Sequence, residues 1–298
     1  MITLFTSPLD AFEHYGTWLS RQALSDHSRR AYLTQVRQFC VFLSEQAGSS
    51  PDALHDPHAR NYAVRDYKSY LKTEGKLKPT TVNLALAAID HFYRFLGMGP
   101  ADVQREDLPQ QAPRALEAEE QKGFLRAVER VTSPRDKAVA LLLFYTGLRV
   151  GECSALNRED VLLSARKGKL IVRKGKGDSY REVPLNSEAR EACEAWEAER
   201  RDRFPKSSDP AYFLSYQGLR LSPRAIDLLL RKIGKEAQVS LSAHVLRHTC
   251  LTRLVRQGND IVLVAEIAGH RRLETTRRYS LPSEKDRENA MEKLRVEY

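Results

Sequence analysis

No run of eighteen apolar residues occurs in the 298-residue chain, and the opening MITLFTSPLDAF has no basic stretch leading into a long apolar segment. Neither a membrane span nor a secretory signal is indicated, and the expected compartment is the cytoplasm. Cysteine is scarce: Cys40, Cys153, Cys193 and Cys250 stand far apart and none forms a C-x-x-C pair. That spacing supports neither a disulfide framework nor a zinc site, and the four read as reduced, core-packed thiols. His244 and His248 stand four residues apart without the glutamate of H-E-x-x-H or a third ligand, so no metal is expected. Proline and glycine number 13 and 15 and gather where the apolar pattern fails, in GMGPADVQREDLPQQAPR between Gly97 and Arg114. Proline bars helix propagation and the polar spacing buries little, so this stretch reads as an extended linker.

What is present begins with charge. Residues 1–110 carry 12 Lys and Arg against 12 Asp and Glu, whereas residues 111–298 carry 36 against 27, so the whole excess of +9 lies in the second part. A polyanion would be drawn mainly there. A length of 298 residues also favours two domains, each large enough for its own core. The expected division is 1–98, a linker over 99–114, and 115–298 with a tail helix over 283–296.

The first domain reads as helices. From Ser28 to Glu45 the apolar Tyr32, Val36, Phe39, Cys40 and Leu43 fall on one face, while Arg29, Arg30 and Arg37 lie off it, free to meet phosphate. A second stripe, Val82, Leu86, Ile89, Phe92, Tyr93 and Leu96, follows Pro79 and stops at Gly97. Shorter pieces are expected at Leu9–Leu19 and Val64–Leu71, giving four or five helices.

The second domain opens with expected helices over Glu117–Val131 and Arg135–Tyr145, the latter carrying the apolar run AVALLLFY. TGLRVGECSAL follows, with Arg149 at a tight inter-helix turn and Glu152 beside it. KLIVR and SYREVPL then change the period to that of a β-hairpin, with Gly175 and Gly177 flanking Lys176 at its tip. Charged helix Ser187–Arg203 and a helix from Pro223 are expected scaffold.

The densest chemistry is SAHVLRHTCLTRLVRQGNDIVLVAEIAGHRRLETTRRY, from Ser242 to Tyr279. It holds His244 and Arg247, the Gly269-His270 step, and Tyr279 after Arg277 and Arg278. A phenol beside guanidinium and imidazole donors suits nucleophilic attack on a phosphate without a metal. His248, next to Arg247, is expected to serve packing. After Tyr279, Pro282 and Ser283 can start a tail helix.

TGLRVGE, the GKG hairpin, HVLRHT, AGH and TTRRY, in this order and at these separations, resemble the tyrosine recombinase (phage integrase) family, closest in length to its Xer-like members. The phrase from Ser25 to Tyr32 extends the likeness into the first domain. The resemblance implies a mainly α protein: an N-terminal helical bundle, the SAM-like core-binding domain, and a C-terminal α-rich catalytic domain with a small antiparallel β-sheet. It implies that Arg149 and Arg247 bind the scissile phosphate, that Lys176 is the general acid for the leaving 5′-hydroxyl, that His244 and His270 bind or shuttle protons there, and that Tyr279 is the nucleophile. Arg29, Arg30, Arg37, Arg277 and Arg278 would contact DNA. The sequence departs from the family's commoner wording in AGH for LGH and RVGE for RVSE, neither of which removes a catalytic atom.

Those expectations describe a site-specific DNA recombinase that clamps a double-stranded core site between its halves and works through a 3′-phosphotyrosine and a Holliday junction, with no cofactor. Its expected assembly is a homo-tetramer on two sites, or a hetero-tetramer with a paralogue, whose tail helices dock on neighbouring protomers. Relaxation of supercoils in the manner of a type IB topoisomerase uses the same chemistry, and a non-catalytic architectural DNA-binding protein would use the basic domain alone.

Overall fold

The structure is a computed structural model that describes residues 5–45, 51–108, 112–173, 180–205, 207–270, 272–282 and 284–292. It divides into two compact units, Met1–Pro109 and Gln110–Tyr298. Helices dominate, with a three-stranded antiparallel sheet among the described residues.

The first unit is built from α1 (Pro8–Ser20), α2 (Asp26–Glu45), α3 (Pro57–Thr73) and α4 (Pro79–Phe95), with a short 3-10 turn at Pro51–Leu54. α3 is longer than its apolar stripe suggests because Asp56 caps it, accepting from the Ala59 amide at 2.7 Å, and Pro57 fills the first turn, where no N–H is needed. Tyr15, Phe39, Tyr67, Phe92 and Tyr93 are almost wholly buried and form the centre of this unit. Burial of a large apolar side chain of this kind stabilises by about 1.5–3 kcal/mol.

Residues 99–108, expected to bury little, run along this first unit and are tied to it. Arg60 and Lys68 donate to the carbonyls of Gly99 and Gln104, each at 2.6 Å. The Asn83 side chain brackets Glu106, accepting from its N–H and donating to its C=O, both at 2.8 Å. The Glu106 carboxylate sits 2.8 Å from Lys68 and 3.0 Å from Lys72. Proline keeps the stretch out of a helix, and polar side chains of α3 and α4 satisfy the backbone that is left.

The second unit comprises α5 (Ala118–Glu129), α6 (Pro134–Thr146), α7 (Val150–Ala155), strands β1 (Val161–Leu163), β2 (Gly168–Val172) and β3 (Arg181–Leu185), then α8 (Ser187–Arg203), α9 (Pro223–Glu236), α10 (Ala243–Arg256), α11 (Ile261–Ala268), α12 (Leu273–Arg277) and α13 (Glu284–Glu292). α6 is the central post: every residue from Ala138 to Phe144 is buried, as a helix apolar on all sides must be. β2 pairs with β3 as the hairpin pattern predicts, Val172 opposite Arg181, and β1 adds an edge, Val161 opposite Leu170. The three-residue β1 was not expected, since VLL is too short to show a period. The expected tail helix is described only over Glu284–Glu292.

Candidate active site

Two helix ends bring the polar residues together. α6 stops at Gly147, whose φ of +62° suits glycine, and Arg149 becomes the N-cap of α7. Its N–H donates to Glu152 Oε2 at 2.9 Å and its Nη1 to Oε1 at 2.7 Å. α11 stops at Gly269, again left-handed at φ +63°, and leaves carbonyls without intrahelical partners. Three arginines take three successive carbonyls there. Arg181 Nε donates to Ile267 at 2.9 Å, Arg247 Nη2 to Ala268 at 2.7 Å and Arg149 Nη2 to Gly269 at 3.2 Å. Cations are favoured at a helix C-terminus, so the arrangement satisfies both the hydrogen-bond and the dipole requirement.

Further bonds fix the set. Arg247 Nη1 also donates to the Gly147 carbonyl, which joins the two helix ends through one guanidinium. Arg181 grips Glu152 with both terminal nitrogens, at 3.1 and 2.7 Å. Glu152 is 5% exposed and shared by two arginines. Burial works against its charge, but Arg181 first and then Arg149 outweigh that, and its pKa lies below the usual carboxylate value.

The histidines and the phenol complete the site. His270 Nε2 lies 2.9 Å from Arg247 Nη2 and its Nδ1 lies 2.8 Å from Thr276 Oγ1. Tyr279 is 4% exposed and packs with Leu251, Val264 and Ala268. Its ring is parallel to that of His270, with 6.0 Å between centroids and 4° between planes. Its hydroxyl lies 3.0 Å from His248 Nδ1. His244 is exposed one turn earlier on α10, its ring 4.6 Å from that of His248.

Burial sets the titration of these groups. It pushes the His270 imidazole down to about 4, reinforced by Arg247 and Arg149, and the His248 imidazole down to about 3, reinforced by His244 and Arg278. His244, exposed by area but partly desolvated by its neighbours, is lowered by that desolvation first and then by Arg247. Arg247 is lowered to about 10 by burial and Arg149, and so stays charged at neutral pH. Burial raises the Tyr279 phenol above its ordinary value, and the opposing pull comes from Arg247, Arg278 and Arg149.

The structure thus gathers Arg149, Arg247, His270 and Tyr279, with His244 at the margin. Lys176 lies outside the described residues. Arg277 and Arg278 are exposed beside Tyr279. On α2, Arg30 and Arg37 are exposed seven residues apart, about two turns, whereas the Arg29 guanidinium is spent locally, on Asp26 at 3.1 Å and on the carbonyls of Gln22 and Leu24 at 3.3 Å. Sequence reasoning passed over Arg181 and read His248 as packing. A charged residue in phase with the inward Val183 was the available signal for Arg181, and the i, i+4 spacing from His244 the signal for His248. Among the described residues no three His, Cys, Asp or Glu side chains are grouped as metal ligands.

Comparison with known proteins identifies the family of both units. Residues 114–285 match the phage integrase family, and residues 11–97 match the phage integrase N-terminal SAM-like domain. Tyrosine recombinase XerA of Thermococcus kodakarensis is 31% identical over 98% of this chain and 97% of its own. Tyrosine recombinase XerC of Myxococcus xanthus is 33% identical over 86% and 87%. Among solved structures, a XerA recombinase is 26% identical at a TM-score of 0.54, covering 98% of this chain and 99% of that one. A XerH site-specific recombinase bound to its difH substrate shares the fold at a TM-score of 0.68 and 18% identity, covering 99% of both chains. With both units matched, the chain belongs to the phage integrase family of tyrosine recombinases, enzymes that cleave and rejoin DNA.

Proposed function

We propose that the protein is a site-specific DNA recombinase in which Tyr279 attacks the scissile phosphodiester of a double-stranded core site and holds the cut strand as a 3′-phosphotyrosine. The phosphate gains charge on its non-bridging oxygens during attack, and Arg149 and Arg247 meet that charge with paired N–H donors. His270, held between Arg247 and Thr276, and His244 act at the same phosphate. Lys176 protonates the leaving 5′-oxygen. The covalent link keeps the energy of the broken diester, so a second 5′-hydroxyl displaces the tyrosine and reseals without a nucleotide cofactor. The outcome is strand exchange through a Holliday junction rather than degradation.

In this reading the two units clamp duplex DNA. Arg30, Arg37 and, less directly, Arg29 meet the backbone from the first, Arg277 and Arg278 from the second. Four protomers act on two sites, either copies of this chain or this chain with a paralogue. The observation that supports this most is the single hydrogen-bonded cluster that runs from Arg149 through Gly269, Ala268 and Arg247 to His270, with the Tyr279 ring stacked on it. A nicked suicide DNA site incubated with the protein should yield a covalent adduct that disappears in Tyr279→Phe. Paired sites should yield Holliday junctions. An adduct that survives Tyr279→Phe would sink the assignment of the nucleophile, and relaxation of supercoils without junctions would replace strand exchange by topoisomerase action.

A further inference from the structure

A phenol cannot attack phosphorus efficiently while it keeps its proton, and burial makes Tyr279 hold that proton more firmly than free tyrosine does. The site therefore needs a group that takes the proton as the new bond forms. His270 is badly placed for this. Both its ring nitrogens are engaged, Nε2 with Arg247 at 2.9 Å and Nδ1 with Thr276 at 2.8 Å, and its ring runs parallel to the phenol ring. His244 is exposed, and its ring meets His248 edge-on. Among the described residues, the imidazole nitrogen within hydrogen-bond distance of the phenolic oxygen is His248 Nδ1, at 3.0 Å. His248 is 8% exposed and sits on α10 next to Arg247.

Resting on the reading of Tyr279 as nucleophile, we propose that His248 is a catalytic residue of the cleavage step, its Nδ1 accepting the Tyr279 hydroxyl proton as the phenolic oxygen bonds to phosphorus. The balance is complete. The O–H bond of Tyr279 breaks toward His248, the O–P bond forms, the bond from phosphorus to the 5′-oxygen breaks, and that oxygen takes its proton from the general acid, assigned above to Lys176. In resealing, the 5′-hydroxyl attacks phosphorus and gives its proton back to the group that supplied it, the bond from phosphorus to the phenolic oxygen breaks, and His248 returns its proton to the departing phenolate.

The surroundings of His248 suit a base that is empty before DNA arrives. His244 and Arg247 face it from its own helix, His270 from the turn after α11, and Arg278 and Tyr279 from beyond α12. Burial, with Arg278 and Arg247 as the cationic neighbours, keeps the imidazole neutral, with a lone pair on Nδ1 available when the hydrogen is on Nε2. A phosphate seated among Arg149, Arg247 and Arg278 adds negative charge where those neighbours are positive. The imidazole then becomes a stronger base, and the substrate itself switches on proton transfer.

The test is single-turnover adduct formation on a nicked suicide duplex, with DNA affinity measured alongside. His248→Asn places an amide oxygen near Nδ1, which accepts a hydrogen bond and does not take the proton. His248→Leu removes both functions. Both variants should slow adduct formation by about 100-fold or more while DNA affinity stays unchanged. If His248→Leu fails to fold, His248→Asn carries the test alone. Replacing Tyr279 by 3,5-difluorotyrosine, whose hydroxyl ionises nearer neutrality, should restore about tenfold or more of the rate lost in His248→Asn, which a packing role would not allow. A His248→Asn protein that cleaves at the unmodified rate, or one that difluorotyrosine does not help, overturns the proposal alone. An unmodified protein that forms no adduct overturns instead the nucleophile assignment beneath it.

Discussion

Replacing Glu152 by alanine should destabilise the second unit severely and selectively. Its carboxylate is 5% exposed and accepts two bonds from Arg181 and two from Arg149. The Arg181 side chain is 7% exposed, so it cannot move into water when its partner is removed, whereas that of Arg149 is 32% exposed and partly can. Leaving a buried charge without its partner costs about 3–5 kcal/mol. For a unit of this size each kcal/mol lowers Tm by about 2–4 °C, so the expected fall is roughly 6–20 °C. Calorimetry of the whole protein at neutral pH should show the transition of the second unit falling while that of the first stays put. Glu152→Leu combined with Arg181→Leu should recover more than half of the loss, because the uncompensated buried guanidinium is gone and the remaining Arg149 can hydrate. A shift in Tm of less than about 2 °C for Glu152→Ala, or a double variant that simply adds the two single losses, would mean that the buried guanidinium is not left uncompensated.

Arg247→Lys loses the planar fork that spans Gly147 and Ala268, and should slow adduct formation by about 100- to 1,000-fold, the scale of a lost transition-state donor, as read in single-turnover gels. Gly269→Ala should lower both Tm and cleavage rate: its φ of +63° costs an L side chain about 1–2 kcal/mol, and the added carbon would meet Arg181 Nη1 at 2.8 Å. Acid should unfold the protein through its buried histidines. His248 and His270 titrate near 6.5 when unfolded but are pushed down to about 3 and about 4 when folded, so the unfolded chain binds more protons between those limits. Their contribution is therefore complete above about pH 6.5 and is lost as pH falls toward 4 and then 3, with a slope of up to about 1.4 kcal/mol per pH unit for each. Urea midpoints at pH 7 and pH 5 should differ accordingly, and by less in His248→Asn.

The helices of both units were legible because apolar residues recur at helical spacing around cores that every element shares, and α2, α4, α6 and α8 begin and end close to where those stripes do. α3 exceeded its stripe because a cap and a proline, Asp56 and Pro57, start it more than a full turn before its first buried apolar residue, Ala63. Such local signals carry little weight beside periodicity unless they are sought. The behaviour of residues 99–108 was illegible for a different reason: what holds them is polar pairing with Arg60, Lys68 and Asn83, at sequence separations of 23 to 39 residues. Single-residue spacing does not encode such partners. The same holds at the candidate site. Arg149, Arg247, His270 and Tyr279 stand in recognisable phrases, but the contacts of His248 and Arg181 exist only once α10 meets the segment after α12 and β3 meets α11.

That difference bears on why the arginines are ready before DNA binds. Arg149, Arg181 and Arg247 hold consecutive carbonyls at the end of α11, so their positions depend on that helix stopping where it does. A helix end is fixed by backbone geometry, here the left-handed Gly269, and not by the side chains that do chemistry. Guanidinium donors anchored in this way need little reorganisation when charge develops on a phosphate, which is the condition under which electrostatic stabilisation is strongest. Anchoring on neutral carbonyls also leaves the charges of Arg149 and Arg247 only partly cancelled, by one shared carboxylate among three arginines. The resulting excess of positive charge is unfavourable in the free protein, and in the proposed function a phosphodiester relieves it. On that proposal binding and catalysis draw on the same imbalance, and a variant that neutralises it without touching Tyr279, such as Arg149→Gln, should lose DNA affinity and cleavage rate together.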